Sequence, residues 1–234
     1  MYDFFPPEYA YIYPIKSKKN DYNLELFSFS LKDISTGIGT INLGDVSTIQ
    51  TNTILMPAGI NTSTNIIGVA STYRSGKVLV QIGSTDSSYY QYDELTYIHD
   101  DNNVYLLEYG KLQTNSLKSY SSPGIGSYNA YILDSNVVID LTPNDTTTKD
   151  YIINTMEVLL SDSSLSSTGS QIISGSNIIS TSVGISSTSY PNSTIISSYS
   201  NLNYNSSYLI VSIEDKTNSI YQVSELLCIS RSEE

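Results

Sequence analysis

The stretch YRSGKVLVQIGSTDSSYYQYDELTYI, residues 73–98, decides the fold, because the chain contains it twice. It aligns without gaps with YNSSYLIVSIEDKTNSIYQVSELLCI, residues 204–229, at an offset of 131 residues and with ten identities in 26 positions. Roughly two identities are expected by chance in a chain of such biased composition. The triplet Ser-Thr-Gly also recurs, at 35–37 and 167–169. The sequence therefore predicts that a whole domain is repeated.

The repeated stretch has the pattern of β-strands joined by tight turns. Turns at 74–76, 84–87 and 99–103 separate runs of β-branched and aromatic residues. The strands predicted in this meander and after it are 77–82, 89–98, 104–109, 128–133, 137–141 and 150–160. A helix is an alternative only for the last of them. His99 is expected to lie exposed in the third turn.

The fold class that follows is all-β, with tandem antiparallel β-sandwich domains after an extended arm. The arm is placed at 1–34, the first sandwich at 35–165 and a partial second sandwich at 166–234. The first copy continues past Ile98 through further strands, whereas the second copy stops five residues past Ile229. Because a sheet cut there has unpaired edges, we expect a longer polypeptide or a neighbouring chain to supply the missing strands.

Composition narrows the range of partners. The chain has 11 basic and 23 acidic residues and a net charge of −12, which repels nucleic acid and anionic lipid. It contains no apolar run near the roughly 18 residues of a membrane span, and its N-terminal stretch does not have the pattern of a secretion signal. Cys228 is the single cysteine, so no intrachain disulfide is expected, and a lone strand cysteine is usually a small buried hydrophobe.

The arm is rich in aromatic residues and too short to form a core of its own. We predict that it inserts into the surface of a partner, since Phe and Tyr give a large contact area for little entropy. The alternative is an arm that packs on its own domain. The anchor residues of this prediction are Phe4, Phe5, Pro6, Tyr9, Tyr11 and Tyr13.

The sequence contains no convincing constellation for catalysis, and we predict no catalytic, cofactor or metal residues and no enzyme. One histidine and one cysteine, far apart, provide neither a nucleophile with its base nor a zinc site. The Asp-Asn run at 100–103 has the pattern of a turn rather than of a calcium loop. Glu94 recurs as Glu225, which indicates a residue on a sheet face. The carboxylates that remain as candidates for glycan cleavage are Asp93, Glu94, Glu108, Asp134 and Asp140.

The first copy contains a set of short motifs beyond the repeat itself. They are VASTYRSGKVLVQI at 69–82, Glu94-Leu95, Ile98-His99-Asp100, Val104-Tyr105, Glu108-Tyr109-Gly110 and NVVIDLTPN at 136–144. Through these motifs the first copy resembles a repeated domain in virion structural and fibre proteins of marine tailed phages, notably those that infect cyanobacteria. The resemblance covers about 35–160 and is weaker in the second copy. It implies tandem domains in a phage appendage, and it transfers no catalytic residue.

The functional prediction is therefore a tail or neck fibre-like virion protein, assembled in the host cytoplasm and attached to the particle through its N-terminal arm. The expected partners are other virion proteins of the capsid, neck, tail or baseplate. Further copies of the chain are also expected, as a trimer by analogy with phage fibres. A capsid decoration or tail-associated protein is one alternative. A carbohydrate-binding adhesin that contacts a host-surface glycan through a row of exposed tyrosines is another.

Overall fold

The computed structural model describes residues 39–43, 46–114, 124–144, 147–161, 168–173, 176–181, 198, 206–215 and 217–229. Within these ranges the chain is all-β, and every pair of neighbouring strands is antiparallel. The same ranges contain no helix long and apolar enough to span a membrane. The prediction of an all-β fold is therefore confirmed.

The described part of the chain contains thirteen strands. They are β1 (Gly39–Leu43), β2 (Ser47–Met56), β3 (Thr64–Ala70), β4 (Tyr73–Ser84), β5 (Tyr90–His99), β6 (Val104–Gln113), β7 (Gly126–Leu133), β8 (Asn136–Pro143), β9 (Tyr151–Ser161), β10 (Thr168–Ile173), β11 (Ser176–Thr181), β12 (Ser206–Asp215) and β13 (Ile220–Ile229).

Strands β1 to β9 form a sandwich of two sheets. The large sheet has the order β1-β2-β9-β4-β5-β6, and the small sheet has the order β3-β8-β7. Side chains alternate between the two faces of each strand, so one face of each sheet contributes to a shared core. The large sheet contributes Met56, Val78, Val80, Ile82, Leu95, Tyr97, Ile153 and Leu159, and the small sheet contributes Ile66, Ile67, Val69, Val137, Ile139 and Leu141.

The hairpin β12–β13 repeats the backbone pairing of the hairpin β4–β5. Ser75 pairs with Ile98 in the first hairpin, and the residues 131 positions later, Ser206 and Ile229, pair in the second. All nine residue pairs of the first ladder recur in this way. The repeat seen in the sequence is thus also a repeat in strand register. The boundaries of the arm and of the two domains stay predictions.

The strand predicted at 150–160 is confirmed as β9, a central strand of the large sheet, so the helical alternative does not apply. Two other local expectations were wrong. The predicted turn at 74–76 lies inside β4, and the chain turns instead at Ser71 and Thr72. Cys228 is exposed rather than buried.

Gly76 is a packing glycine rather than a turn glycine. It lies directly opposite Tyr97 in the β4–β5 ladder. A β-carbon built on Gly76 lies only 2.6 Å from the ring carbon Cε1 of Tyr97. The fully buried Tyr97 ring therefore occupies the space above the glycine, and this contact fixes the ring in the core.

Replacing Gly76 with alanine is expected to destabilise the sandwich by about 1–3 kcal/mol, the usual cost of overpacking a core. Urea unfolding of the chain measures this change. Gly68→Ala is the matched control, because the nearest atom to a β-carbon there is 3.7 Å away, an ordinary contact. Equal free energies of unfolding for the two variants would contradict the role of Gly76.

Candidate functional site

The predicted anchor residues lie outside the described residues. Phe4, Phe5, Pro6, Tyr9, Tyr11 and Tyr13 all belong to 1–38, for which the structure gives no placement. Their role stays a prediction. The candidate site within the described part of the chain is instead the contact between the two copies of the repeated hairpin.

Hairpin β12–β13 packs on the large sheet through the face of that sheet that points away from the sandwich core. Lys77 and Thr96 lie on this outer face, one residue away in sequence from the core residues Val78 and Leu95. They bind Tyr208 and Glu225 of the hairpin. Tyr208 is equivalent to Lys77 by the offset of 131, so both hairpins use the same face for this contact.

Lys77 is the centre of the contact. Its Nζ atom donates hydrogen bonds to the hydroxyls of Tyr109 (2.7 Å) and Tyr208 (2.8 Å). The same nitrogen lies 2.8 Å from Oε2 of Glu225 and 3.1 Å from Oε2 of Glu94. We call these five residues the Lys77 cluster. It joins two carboxylates from equivalent positions of the repeat to a single ammonium group.

The charges in the Lys77 cluster stabilise one another. Burial tends to lower the pKa of Lys77, but the hydrogen bonds to Glu225, Tyr109, Tyr208 and Glu94 outweigh it and raise this pKa. Burial likewise tends to raise the pKa of Glu225, and the bonds from Lys77, Tyr109 and Tyr208 instead lower it to about 2. Both groups are therefore charged across the physiological range, with side chains only 12% and 24% exposed.

A second link between the hairpins begins at Arg74. Its Nη1 atom donates to Oδ1 of Asp101 at 2.8 Å and to the carbonyl oxygen of His99 at 3.1 Å. Its Nη2 atom lies 3.5 Å from Oε1 of Glu214, and its guanidinium carbon lies 4.8 Å from the ring centroid of Tyr221. Arg74 thus ties the turn after β5 to both strands of the second hairpin.

His99 is fully buried, so the expectation of an exposed turn histidine was wrong. Its Nδ1 atom accepts the backbone N–H of Asp101 at 3.2 Å and lies 3.3 Å from Nη1 of Arg74. Its Nε2 atom lies 3.1 Å from the carbonyl oxygen of Tyr73. This arrangement fits a neutral ring with its proton on Nε2. Burial first, and then the charge of Arg74, lower the pKa of His99.

An open groove of about 440 Å³ lies beside the Lys77 cluster, between β5, β6 and β13. Ile98 and Leu107 line it on one side and Val223 on the other. Tyr105 and Tyr109 of β6 also line this groove, and Tyr105 is 57% exposed. The tyrosines therefore differ in position: some contact solvent, whereas Tyr97 is buried in the core.

The candidate carboxylates lie in different parts of the structure. Glu94 belongs to the Lys77 cluster, Asp140 accepts a hydrogen bond from Tyr131 on the small sheet, and Asp134 lies in the β7–β8 turn. Asp93 is fully buried and accepts hydrogen bonds from the side chains of Gln91 and Tyr128.

Glu108 is a candidate carboxylate whose charge acts on Asp93. Burial is the main cause that raises the pKa of Asp93, and the charge of Glu108 adds to it. Glu108 itself forms an ion pair with Lys111 on its own strand. Because Asp93 has no exposed surface, the two groups do not flank a position that a glycan can reach directly.

No family model matches the sequence, and no curated protein is similar to it. Among solved structures, part of the chain is similar to the tailspike protein gp49 of the Acinetobacter baumannii bacteriophage Fri1, a capsular polysaccharide depolymerase. The identity is 12% and the TM-score is 0.33, over 53% of this chain and 20% of the tailspike. The match thus spans about a fifth of that protein, and likeness at this level carries no argument about function.

The Lys77 cluster is expected to hold the second hairpin on the first sandwich. Lys77→Met keeps the aliphatic stem but leaves Glu225 without its cation, and we expect the free energy of opening of the β12–β13 amides to fall by about 1–3 kcal/mol. Combining it with Glu225→Gln should then cost less than the two separate changes together, because the groups interact directly. Native-state hydrogen exchange measures both effects.

Lys149→Met is the control for this experiment, since Lys149 pairs with Asp86 at an exposed turn away from the second hairpin. An exposed pair contributes little, so exchange in β12 and β13 should not change measurably. If Lys77→Met and Lys149→Met gave the same exchange rates in β12 and β13, the Lys77 cluster would not be what attaches the hairpin.

The buried His99 is expected to make stability depend on pH. The pKa of His99 in the folded chain is below the ordinary value of 6.5. As the pH falls through 6.5, His99 therefore binds a proton in the unfolded chain before it does so in the folded chain, which favours unfolding. The stability that His99 contributes is therefore present above pH 6.5 and is lost on acidification. The free energy of unfolding, measured in urea at pH 7.5 and at pH 5.5, should fall more in the native chain than in His99→Asn.

The asparagine variant keeps an acceptor beside Arg74 but has no titrating ring. The buried carboxyls Asp93 and Glu157, whose pKa values are raised mainly by burial, act in the opposite direction. They are shared by both proteins, so the difference between the two pH profiles isolates His99. Parallel profiles would show that the ring does not titrate against folding.

Proposed function

We propose that this chain is a structural component of a phage particle, a tail or neck fibre-like appendage of tandem β-sandwich domains that attaches through its N-terminal arm. The observation that carries the proposal is the repeated hairpin, in which equivalent strands pair in equal register and contact each other through the Lys77 cluster. Such repetition builds an elongated protein by adding modules to one another.

The junction between the copies supports this proposal because it is polar and specific. A purely apolar junction would tolerate many relative orientations, whereas Lys77 must meet two carboxylates and two hydroxyls at once. Arg74 adds a second fixed link to Glu214 and Tyr221. Two separate links of defined geometry limit rotation between modules, as a stiff appendage requires.

The distribution of charge and the sequence resemblance agree with the same proposal. A net charge of −12 keeps closely spaced copies soluble and apart from nucleic acid. The motifs that carry the resemblance to virion structural and fibre proteins include Lys77, Glu94 and His99, which contribute to the two links. Attachment through the arm, oligomerisation and the identity of the docking protein are parts of the proposal.

The test is to change the arm in virions produced from the genome that encodes the chain. Replacing Phe4, Phe5 and Tyr9 with serine removes much of the proposed contact area, and we expect purified particles to contain less than about a tenth of the normal amount of the chain. Quantitative mass spectrometry of the particles measures its amount relative to the capsid protein.

The matched control replaces Lys16, Lys18 and Lys19 with serine in the same segment, which changes its charge but leaves its aromatic residues. Circular dichroism of both purified variants checks that the sandwich is folded. Normal incorporation of the aromatic triple variant would overturn attachment through the arm. Absence of the native chain from purified virions would overturn the virion assignment itself.

A further inference from the structure

One face of the second hairpin is apolar, and the equivalent face of the first hairpin is buried in the sandwich core. By the offset of 131, five residues of β12 and β13 are equivalent to Val78, Val80, Ile82, Leu95 and Tyr97, which all have 0% exposure in the core. The equivalent residues are Leu209, Val211, Ile213, Leu226 and Cys228. Ile213 is 44% and Leu226 42% exposed, and Cys228 is exposed as well.

The first copy shows what covers such a face. Strand β9 pairs with the outer edge of β4, strand β6 pairs with the outer edge of β5, and the small sheet packs over the apolar residues. In the part of the chain that the structure describes, β12 pairs only with β13. Among the described residues, the hairpin thus occurs once with edge strands on both sides and once without them.

The outer edge of β12, which pairs with no other described strand, combines two features of a strand acceptor. In an antiparallel ladder alternate residues direct their N–H and C=O groups away from the partner strand, so the outer edge of β12 has a row of such groups. Beside this row lies the apolar face of Leu209, Val211 and Ile213. Main-chain groups along an edge give affinity to an added strand, and alternate side chains give it specificity.

We propose that hairpin β12–β13 is the acceptor for a strand donated by another polypeptide, which pairs antiparallel with β12 as β9 pairs with β4. The register follows from the first copy, where Val158 lies opposite Lys77 and Ile153 opposite Ile82. The donor residue in the place of Val158 then faces Tyr208, and the one in the place of Ile153 faces Ile213. The donor has apolar side chains at every second position.

The proposed donor resembles β9 in its pattern of core-facing residues. It is not the β12 edge of a second copy of the chain. In the sandwich, β4 receives β9, whose residues Ile153 and Leu159 face the core with no exposure. A second β12 would instead bring another hairpin with its own uncovered face. This inference does not depend on the arm or on the particle, so it can fail while the proposed function holds, and the reverse is also true.

The test uses the full chain and a synthetic peptide with the sequence of β9 between lysine pairs. In the peptide Glu157 is replaced by valine, because its partner Gln50 belongs to β2, a strand that neither the peptide nor hairpin β12–β13 contains. The matched control peptide also has serine in place of Ile153 and Leu159. Hydrogen exchange of the β12 amides and alkylation of Cys228 with iodoacetamide are measured as the peptide concentration rises.

The expected result is saturable protection of alternate β12 amides, together with alkylation of Cys228 that is about tenfold slower, and neither effect with the control peptide. Equal protection by both peptides, or protection by neither, would overturn the proposal. A chain that sediments as a dimer and already protects Cys228 without peptide would also overturn it, since a second copy would then occupy the face.

Discussion

Strand β9 lies between β2 and β4 and pairs with both along nearly its whole length. It joins the β1–β2 hairpin to the meander β4-β5-β6, which would otherwise be two separate sheets. Its residues Ile153 and Leu159 also belong to the core. Because β9 comes last among the strands of the sandwich, the large sheet closes only after residues up to about 110 positions apart have paired. The module therefore depends on a long-range contact, which is slow to form and costly to lose.

The two copies of the hairpin show how one strand pattern can serve two environments. In both copies one face of the hairpin has the pattern of the sandwich core, and the opposite faces meet at the Lys77 cluster. The contact depends on one of the positions at which the copies differ, which holds Lys77 in the first copy and Tyr208 in the second. Lysine at both positions would place two cations together, and tyrosine at both would leave Glu94 and Glu225 without a cation.

The sequence predicts the local strands well because turn chemistry and alternation are local signals. The turns predicted at 84–87 and 99–103 do end strands, although the second begins one residue later because His99 belongs to β5. Asp86 and Asp100 bind backbone groups at these turns. The turn at Gly76 was wrongly predicted, because the sequence does not distinguish a glycine that makes room for a ring from a glycine that turns the chain. The exposure of His99 was wrongly predicted because polar residues follow it in the sequence, whereas its ring is buried against Arg74.

The sequence indicated only part of the candidate site. Recurrence of Glu94 as Glu225 correctly indicated a residue on a sheet face, but the cation that both bind lies at a position that does not recur. Pairing order among distant strands is likewise absent from periodicity, which reports the face of a residue and not its neighbour. Long-range partners such as β9 follow from packing, and for this reason they appear only in three dimensions.

The exposed face of the second hairpin is best understood through the burial of the first. Leu209, Val211, Ile213 and Leu226 are as apolar as the core residues they correspond to, although exposed apolar groups favour nonspecific association. Polar residues at these positions would keep an isolated hairpin soluble at little cost to its register, which the ladder hydrogen bonds maintain. An isolated two-stranded hairpin is also marginally stable in water. The contact with the large sheet stabilises one face, and the other face has the apolar pattern that core residues have in the first copy.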